Sequence, residues 1–260
     1  MKKTLIETIK VIKDYDVWTE IAFSQIRTRY ARTIIGPLWE LIGLVVLLVP
    51  MSLLWSNLWT APKSDFFIYL FTGYSIFRFI SVTIGDASTN FMNSYSAIIK
   101  NINIHPLVCI LSLCFRNFIY FFHIIIFIFI ISFFFHLKIN FILLSFFLLC
   151  LFLTIINVST FVAFLCCRYR DLTNLISLCM TLIFFFTPII WDVKQLPVQY
   201  KMALIEPNIL YHYIEFFRSS LINGNVNRLS FLIVIIFTFL SSLLNLYIFK
   251  KFKKRLVLWM

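Results

Sequence analysis

The stretch RTRYARTIIGPLW, Arg27–Trp39, sets three arginines within six residues directly against an apolar run that begins at Gly36-Pro37. That run continues for about twenty positions, the length a helix needs to cross roughly 30 Å of hydrocarbon. The charge cluster therefore marks the inner border of a membrane span. Two roles stay open for Arg27, Arg29 and Arg32. They are a topological anchor, or they receive the anionic head of a substrate, since the planar guanidinium gives paired charge-assisted bonds to phosphate.

Outward from this border the solvent is set by composition. The 260-residue chain is 61% hydrophobic and 13% charged, with a mean hydropathy of +0.93, far from the balance of a soluble globular domain. A net charge of +12 would suggest nucleic acid in a soluble protein, but the basic residues flank apolar runs and no nucleic-acid motif occurs. No cleaved leader is expected, because the first 33 residues are charged throughout. The six cysteines lie in or at the ends of apolar segments and form no CxxC pair, which favours small buried hydrophobes over a disulfide framework.

Six spans are expected, at 36–58, 66–91, 106–135, 141–166, 173–191 and 229–249. Backbone groups in lipid must pair internally, so the fold is all-α. Residues 1–35 hold seven Lys and Arg, the 166–172 loop holds Arg168 and Arg170, and the tail KKFKKR holds five more. Positive-inside counting places both termini and the 92–105 and 166–172 loops in the cytoplasm. Residues 1–33 form a cytoplasmic segment whose apolar positions over 4–26 recur at helical spacing, an amphipathic helix on the inner membrane face. Residues 34–260 form the membrane domain. Within it, the 92–105 loop is expected as a short amphipathic helix that has nowhere in its own fold to bury Ile98 and Ile99. Residues 193–226 are too polar to span and too aromatic for an ordinary loop. They are expected as an external re-entrant helical hairpin, with pieces at about 198–205 and 208–222 punctuated by Pro197 and Pro207.

Chemistry is sparse. No phosphate-cradling G-x-x-x-x-G-K-[ST] and no H-E-x-x-H occurs, so no nucleotide site and no metal site is expected in this chain. The four histidines are scattered. Charges inside spans are costly and therefore informative. Glu40 and Arg116 are expected to snorkel to headgroups. Arg78 sits too deep for that, and Arg78 and Asp86, two turns apart, are expected to share a face toward a channel or a partner. The aromatics Trp55, Trp59, Trp191, Tyr211 and Tyr213 at the outer boundary suit an interfacial belt or platforms for sugar rings.

These residues resemble a known family. RTRYARTIIGPLWELI looks like the R-x-R-Y-(R/K)-x-S-x-L-G-P-L-W approach to the first span of bacterial polysaccharide-export permeases, the membrane subunits of type-2 ABC exporters for O-antigen, capsule and teichoic acid. FMNSYSAIIKNINIHPLVCILSLCFRNFIYFFH, Arg170-Asp171, TPIIW (187–191) and EPNILYHYIEFFRSSLING (206–224) are similar to further family stretches in the same order, the O-antigen branch fitting best. The chain departs at Ala31, Thr33, His105 and the inverted Pro207-Asn208. The resemblance implies a non-catalytic permease of the bacterial inner membrane. Two copies would pair with two copies of a separate ATP-binding subunit that carries ATP and Mg. A lipid-linked polysaccharide would then pass through an aromatic-lined channel. On this reading Trp39, Trp55, Trp59, Tyr74, Arg78, Asp86 and Trp191 line the channel. Tyr211, Tyr213, Phe216 and Phe217 form an outer gate, and Tyr95, Ile98, Ile99 and Lys100 couple to the ATPase. The alternative, a membrane-embedded glycosyl- or acyltransferase acting on a lipid-linked sugar, would need polar residues converging at one depth. An ion channel would need a small-residue pore helix.

Overall fold

Every regular element among the described residues is helical. The computed structural model describes residues 2–58, 62–102, 104–193, 197, 199 and 201–259. The expected N-terminal helix is two helices, α1 (Lys2–Lys13) and α2 (Tyr15–Arg29), because Asp14, with ψ 51°, leaves helical geometry. Rather than lying free on a membrane surface, α2 packs along α5 (Pro106–Phe135), with Ala22 buried and Trp18 and Phe23 edge-on to Phe115. The turn from α2 into α3 (Leu38–Leu58) uses left-handed backbone at Arg32 (φ 68°) and Gly36 (φ 59°). Proline 50 lies inside α3, where it cannot donate to the preceding turn.

The next helix, α4, runs unbroken from Lys63 to Ile102, 40 residues or about 60 Å. The separate helix expected over 92–105 is therefore the end of α4. No Gly or Pro interrupts the chain between Gly85 and Pro106, and Phe91, Tyr95 and Ile99, spaced four apart, keep one face buried against the protein's own core. Helix α5 opens where the sequence sets its strongest start signal. His105 caps it, its Nδ1 accepting from the Leu107 amide, and Pro106 stands at the first helical position. It closes on His136 in left-handed geometry, and Asn140 caps α6 (Phe141–Arg168), so the two helices are joined by a tight turn over HLKIN.

The fifth expected span is shorter than its apolar run. Helix α7 (Leu172–Phe186) has 15 residues, about 22 Å, and stops because Thr187 precedes Pro188 and is forced into extended geometry (φ −95°, ψ 135°). Five helices among the described residues are long and apolar enough to cross a membrane: α3, Lys63–Thr89 of α4, α5, α6 and Arg228–Lys253 of α9 (Arg228–Trp259). The chain is a polytopic membrane protein.

The outer segment keeps half its expected form. A single π-helical turn covers Lys201–Ile205, and α8 (Ile209–Ile222) follows, capped by Asn208, whose side chain accepts from the amides of Leu210 and Tyr211. Part of the first expected piece, at 198 and 200, lies outside the described residues. Helix α8 packs against α4, α6 and α9, and its far end is pinned to the α5–α6 turn by backbone bonds from Lys138 and Asn140 to Ile222 and Ser220.

Candidate functional site

Among the described residues, two of the polar regions bear on function. The first is a charged network where α2, α3, α4 and α5 meet. Glu40, in the first turn of α3, bridges two arginines: Oε1 lies 2.8 Å from Arg29 Nη2, and Oε2 lies 2.7 Å from Arg78 Nη2. The Tyr30 hydroxyl donates to the same Oε1 at 3.3 Å. The Arg29 guanidinium lies 5.6 and 5.4 Å from the ring centroids of Tyr30 and Tyr120. Burial raises the Tyr30 phenol well above its ordinary range despite the opposing pull of Arg29.

One turn before Tyr120 on α5, Arg116 reaches Asp86 at 2.6 Å and the Gln25 side-chain oxygen at 2.9 Å. Asn117 donates to Asp86, and the Tyr95 hydroxyl shares bonds of 2.8 and 2.9 Å with the Gln25 amide. The snorkelling expected of Glu40 and Arg116 does not occur. Arg116 is only 8% exposed and both side chains are held by partners within the chain, because an opposite charge within reach outweighs the stretch to the headgroups. Arg78 and Asp86 do turn toward protein, but toward α3 and α5 of their own chain. Asp86 is thus placed in an internal ion pair rather than on a channel wall.

The second region is a groove of about 530 Å³ between α4 and α7. Ser81, Ser88 and Thr89 line one wall, and Thr173, Asn174, Ser177 and Thr181 the other, with Tyr74, Phe77 and Phe184 interleaved. On α7 the polar residues fall at i, i+1, i+4 and i+8, one helical face. That spacing was readable in the sequence, but each residue alone is common in apolar helices. Behind α7 lies an apolar cleft of about 420 Å³ against α4, α6, α8 and α9, lined by residues such as Leu151, Ile183 and Phe186. Helix α7 is a partition with hydroxyls on one side and hydrocarbon on the other. It has no buried residue.

Of the residues expected as an outer gate, three are buried. Tyr213, Phe216 and Phe217 are 3%, 0% and 0% exposed, and Phe216 and Phe217 pack on Phe147 with ring centroids 5.2 and 5.5 Å away. Tyr213 bonds Thr154 at 2.7 Å, and Tyr211 is half-buried. An aromatic face at helical spacing is what a core-facing helix also shows, so the pattern could not separate rim from interior. Arg218, unremarked in the sequence, locks α8 in place. It is 3% exposed and donates to the carbonyls of Tyr69, Pro188 and Ile189, with its guanidinium 3.5 Å from the Tyr69 ring centroid. Gly73 makes this possible, since a Cβ there would run into the guanidinium.

Of the other expected residues, Tyr74 lines the α4–α7 groove, whereas Trp39 is exposed on α3, away from it. Trp55 packs half-buried on the core, and Trp191 turns back so that its indole donates to the Phe185 carbonyl. Trp59 lies outside the described residues. The coupling set divides. Tyr95 and Ile99 are buried in their own fold, so the expectation that nothing there would cover Ile99 fails, while Ile98 is half-buried and Lys100 exposed. Arg27 is exposed in a loose 3.8 Å pair with Glu20, and Arg32 is exposed at the turn.

Residues 18–222 match the family described as ABC-2 type transporter. The chain belongs to that family. It is the permease component of an ABC transporter, a multi-pass membrane subunit for transport, and the family implies an ABC ATPase as partner. No curated protein matches the chain. In an ABC-2 permease the described groove lies on α7, the one α-helix among the described residues with no buried residue, and so on a surface of the chain that is still open.

Proposed function

We propose that this permease exports a lipid-linked polysaccharide, O-antigen-like in kind, across the bacterial inner membrane. It works as a homodimer with two copies of a separate ATPase that carries ATP and Mg, and with both of its own termini in the cytoplasm. The observation that carries this reading is the α4–α7 groove. Its hydroxyls and Asn174 can exchange hydrogen bonds with sugar hydroxyls, and Tyr74, Phe77 and Phe184 offer flat apolar faces for ring stacking. A groove for ions would need charge, and one for free lipid would need no hydroxyl row. Two such walls, one from each copy, would enclose a path. Arg27, Arg29 and Arg32 would receive the substrate head at the inner rim, and Ile98 and Lys100 would meet the ATPase.

The test places a cysteine at Ser177 in a Cys179→Ser background and exposes it to a membrane-impermeant thiol reagent, after copurification with the ATPase. Export stalled with polymer in place should protect the cysteine. Equal labelling with and without polymer sinks the reading.

A further inference from the structure

The Arg29–Glu40–Arg78 knot is under-neutralised. Two guanidiniums share one carboxylate, and the neighbouring Arg116–Asp86 pair balances itself, so the group keeps an excess of one positive charge. Each arginine meets Glu40 through a single nitrogen, although a guanidinium fork is built to give two parallel bonds to one oxyanion. The side chains of Arg29 and Arg78 remain 48% and 31% exposed, against 18% for Glu40. The carboxylate is the inner member and the arginines face outward.

We propose that this knot is an exchangeable anion site, in which a phosphate ester carried by a membrane lipid displaces the Glu40 carboxylate from between Arg29 and Arg78. A phosphomonoester carries a charge of about −1.5 to −2 and three acceptor oxygens, which matches two guanidiniums where a single carboxylate does not. Displacement rather than addition follows from the space. The cavity beside Glu40 and Arg78, bordered by Asn117 and Tyr120, holds about 30 Å³. At roughly 10–15 Å³ for each water this is room for two or three waters, tight for a phosphate while Glu40 stays.

The exchange has a mechanical consequence. Glu40 ties the first turn of α3 both to the end of α2, through Arg29 and Tyr30, and to the middle of α4, through Arg78. Releasing it frees α3 at its base, while α2 stays on α5 through Gln25 and Arg116. The identity of the phosphate's carrier as a lipid-linked saccharide rests on the proposed export function. The site itself rests on the knot.

The experiment uses the full-length chain in phosphatidylcholine nanodiscs. Binding of dioleoyl phosphatidic acid, dioleoylglycerol and inorganic phosphate is measured by native mass spectrometry. Phosphatidic acid should bind and dioleoylglycerol should not, and Arg29→Gln or Arg78→Gln should each weaken binding about tenfold. Glu40→Gln should tighten it about tenfold, because the internal competitor is gone. A purely structural ion pair predicts weaker or unchanged binding in Glu40→Gln, and that result overturns the proposal. Should Glu40→Gln fail to insert, Tyr30→Phe, which removes one bond holding Glu40, should tighten binding severalfold, and unchanged affinity there overturns it equally. Binding of inorganic phosphate alone, without the lipid ester, also overturns it. Phosphatidic acid binding as expected in a protein that exports no saccharide defeats the export reading and leaves the site standing. Phosphatidic acid binding unchanged in an Arg29→Gln, Arg78→Gln double variant that still exports saccharide defeats the site and leaves the export reading.

Discussion

Helices α7 and α8 are nearly the same length, 15 and 14 residues, and both are too short to cross a bilayer by themselves. Their surroundings are opposite. Nine residues of α8 are buried, from His212 to Leu221, whereas α7 has none. A charged side chain, Arg218, ties α8 to the backbone of Tyr69, Pro188 and Ile189, while the hydroxyls of α7 mostly bond within their own helix, as Ser177 does to Asn174 and Thr181 to Ser177. Aromatic content is a poor guide to which helix stays accessible. The aromatic helix is the strut, and the helix with a plain row of Ser and Thr is the open wall of the groove.

The comparison breaks most visibly at Arg218. Arg218→Leu should cost about 3–5 kcal/mol, since three buried carbonyls lose charge-assisted donors together. Thermal unfolding of the detergent-solubilised protein measures it, and a loss under about 1 kcal/mol would mean that α8 is held by its apolar packing alone. Asp86→Asn tests the other internal tie. It leaves Arg116 buried without its carboxylate and should destabilise by about 3 kcal/mol, with Asp86→Asn/Arg116→Gln recovering part of the loss.

A smaller effect is expected at Gly73→Ala, which presses on the same guanidinium as α8 relies upon. About 1–3 kcal/mol follows from the forced shift, and the change should be largely absorbed when Arg218 is already leucine. His105 supplies a pH-dependent check outside the spans. Burial, with Lys253 adding to it, pushes the imidazole down to about 4, and its Nδ1 must stay unprotonated to cap α5. The unfolded chain takes up this proton below about pH 6.5 and the folded one only near 4, so this contribution to stability is present above 6.5 and lost as pH falls toward 4. His105→Asn, which replaces the capping nitrogen with an amide oxygen that does not titrate, should flatten the melting temperature across that window by the equivalent of about 1–2 kcal/mol.

The smallest structural effect belongs to α7. Ser177→Val with Thr181→Val should change stability by less than about 0.5 kcal/mol, because both side chains are exposed in the single chain, yet it should abolish most export. A variant that loses stability instead would place α7 among the struts and erase the contrast with α8.

Much was legible from the chain alone. Apolar runs and flanking charge established an all-helical membrane protein, because both act over the length of a single span. Local chemistry acts over three or four residues, so spacing reveals it. Three things needed the tertiary structure: that Glu40, 38 residues before Arg78, is its partner; that Asp86 answers Arg116 and not Arg78; and that the aromatic face of α8 is turned inward. Charge says that a buried arginine must find an anion, but Coulomb attraction depends on distance in space, and a helical pattern fixes only which residues share a face. Which face meets lipid, a groove or a neighbouring helix is decided when the helices pack.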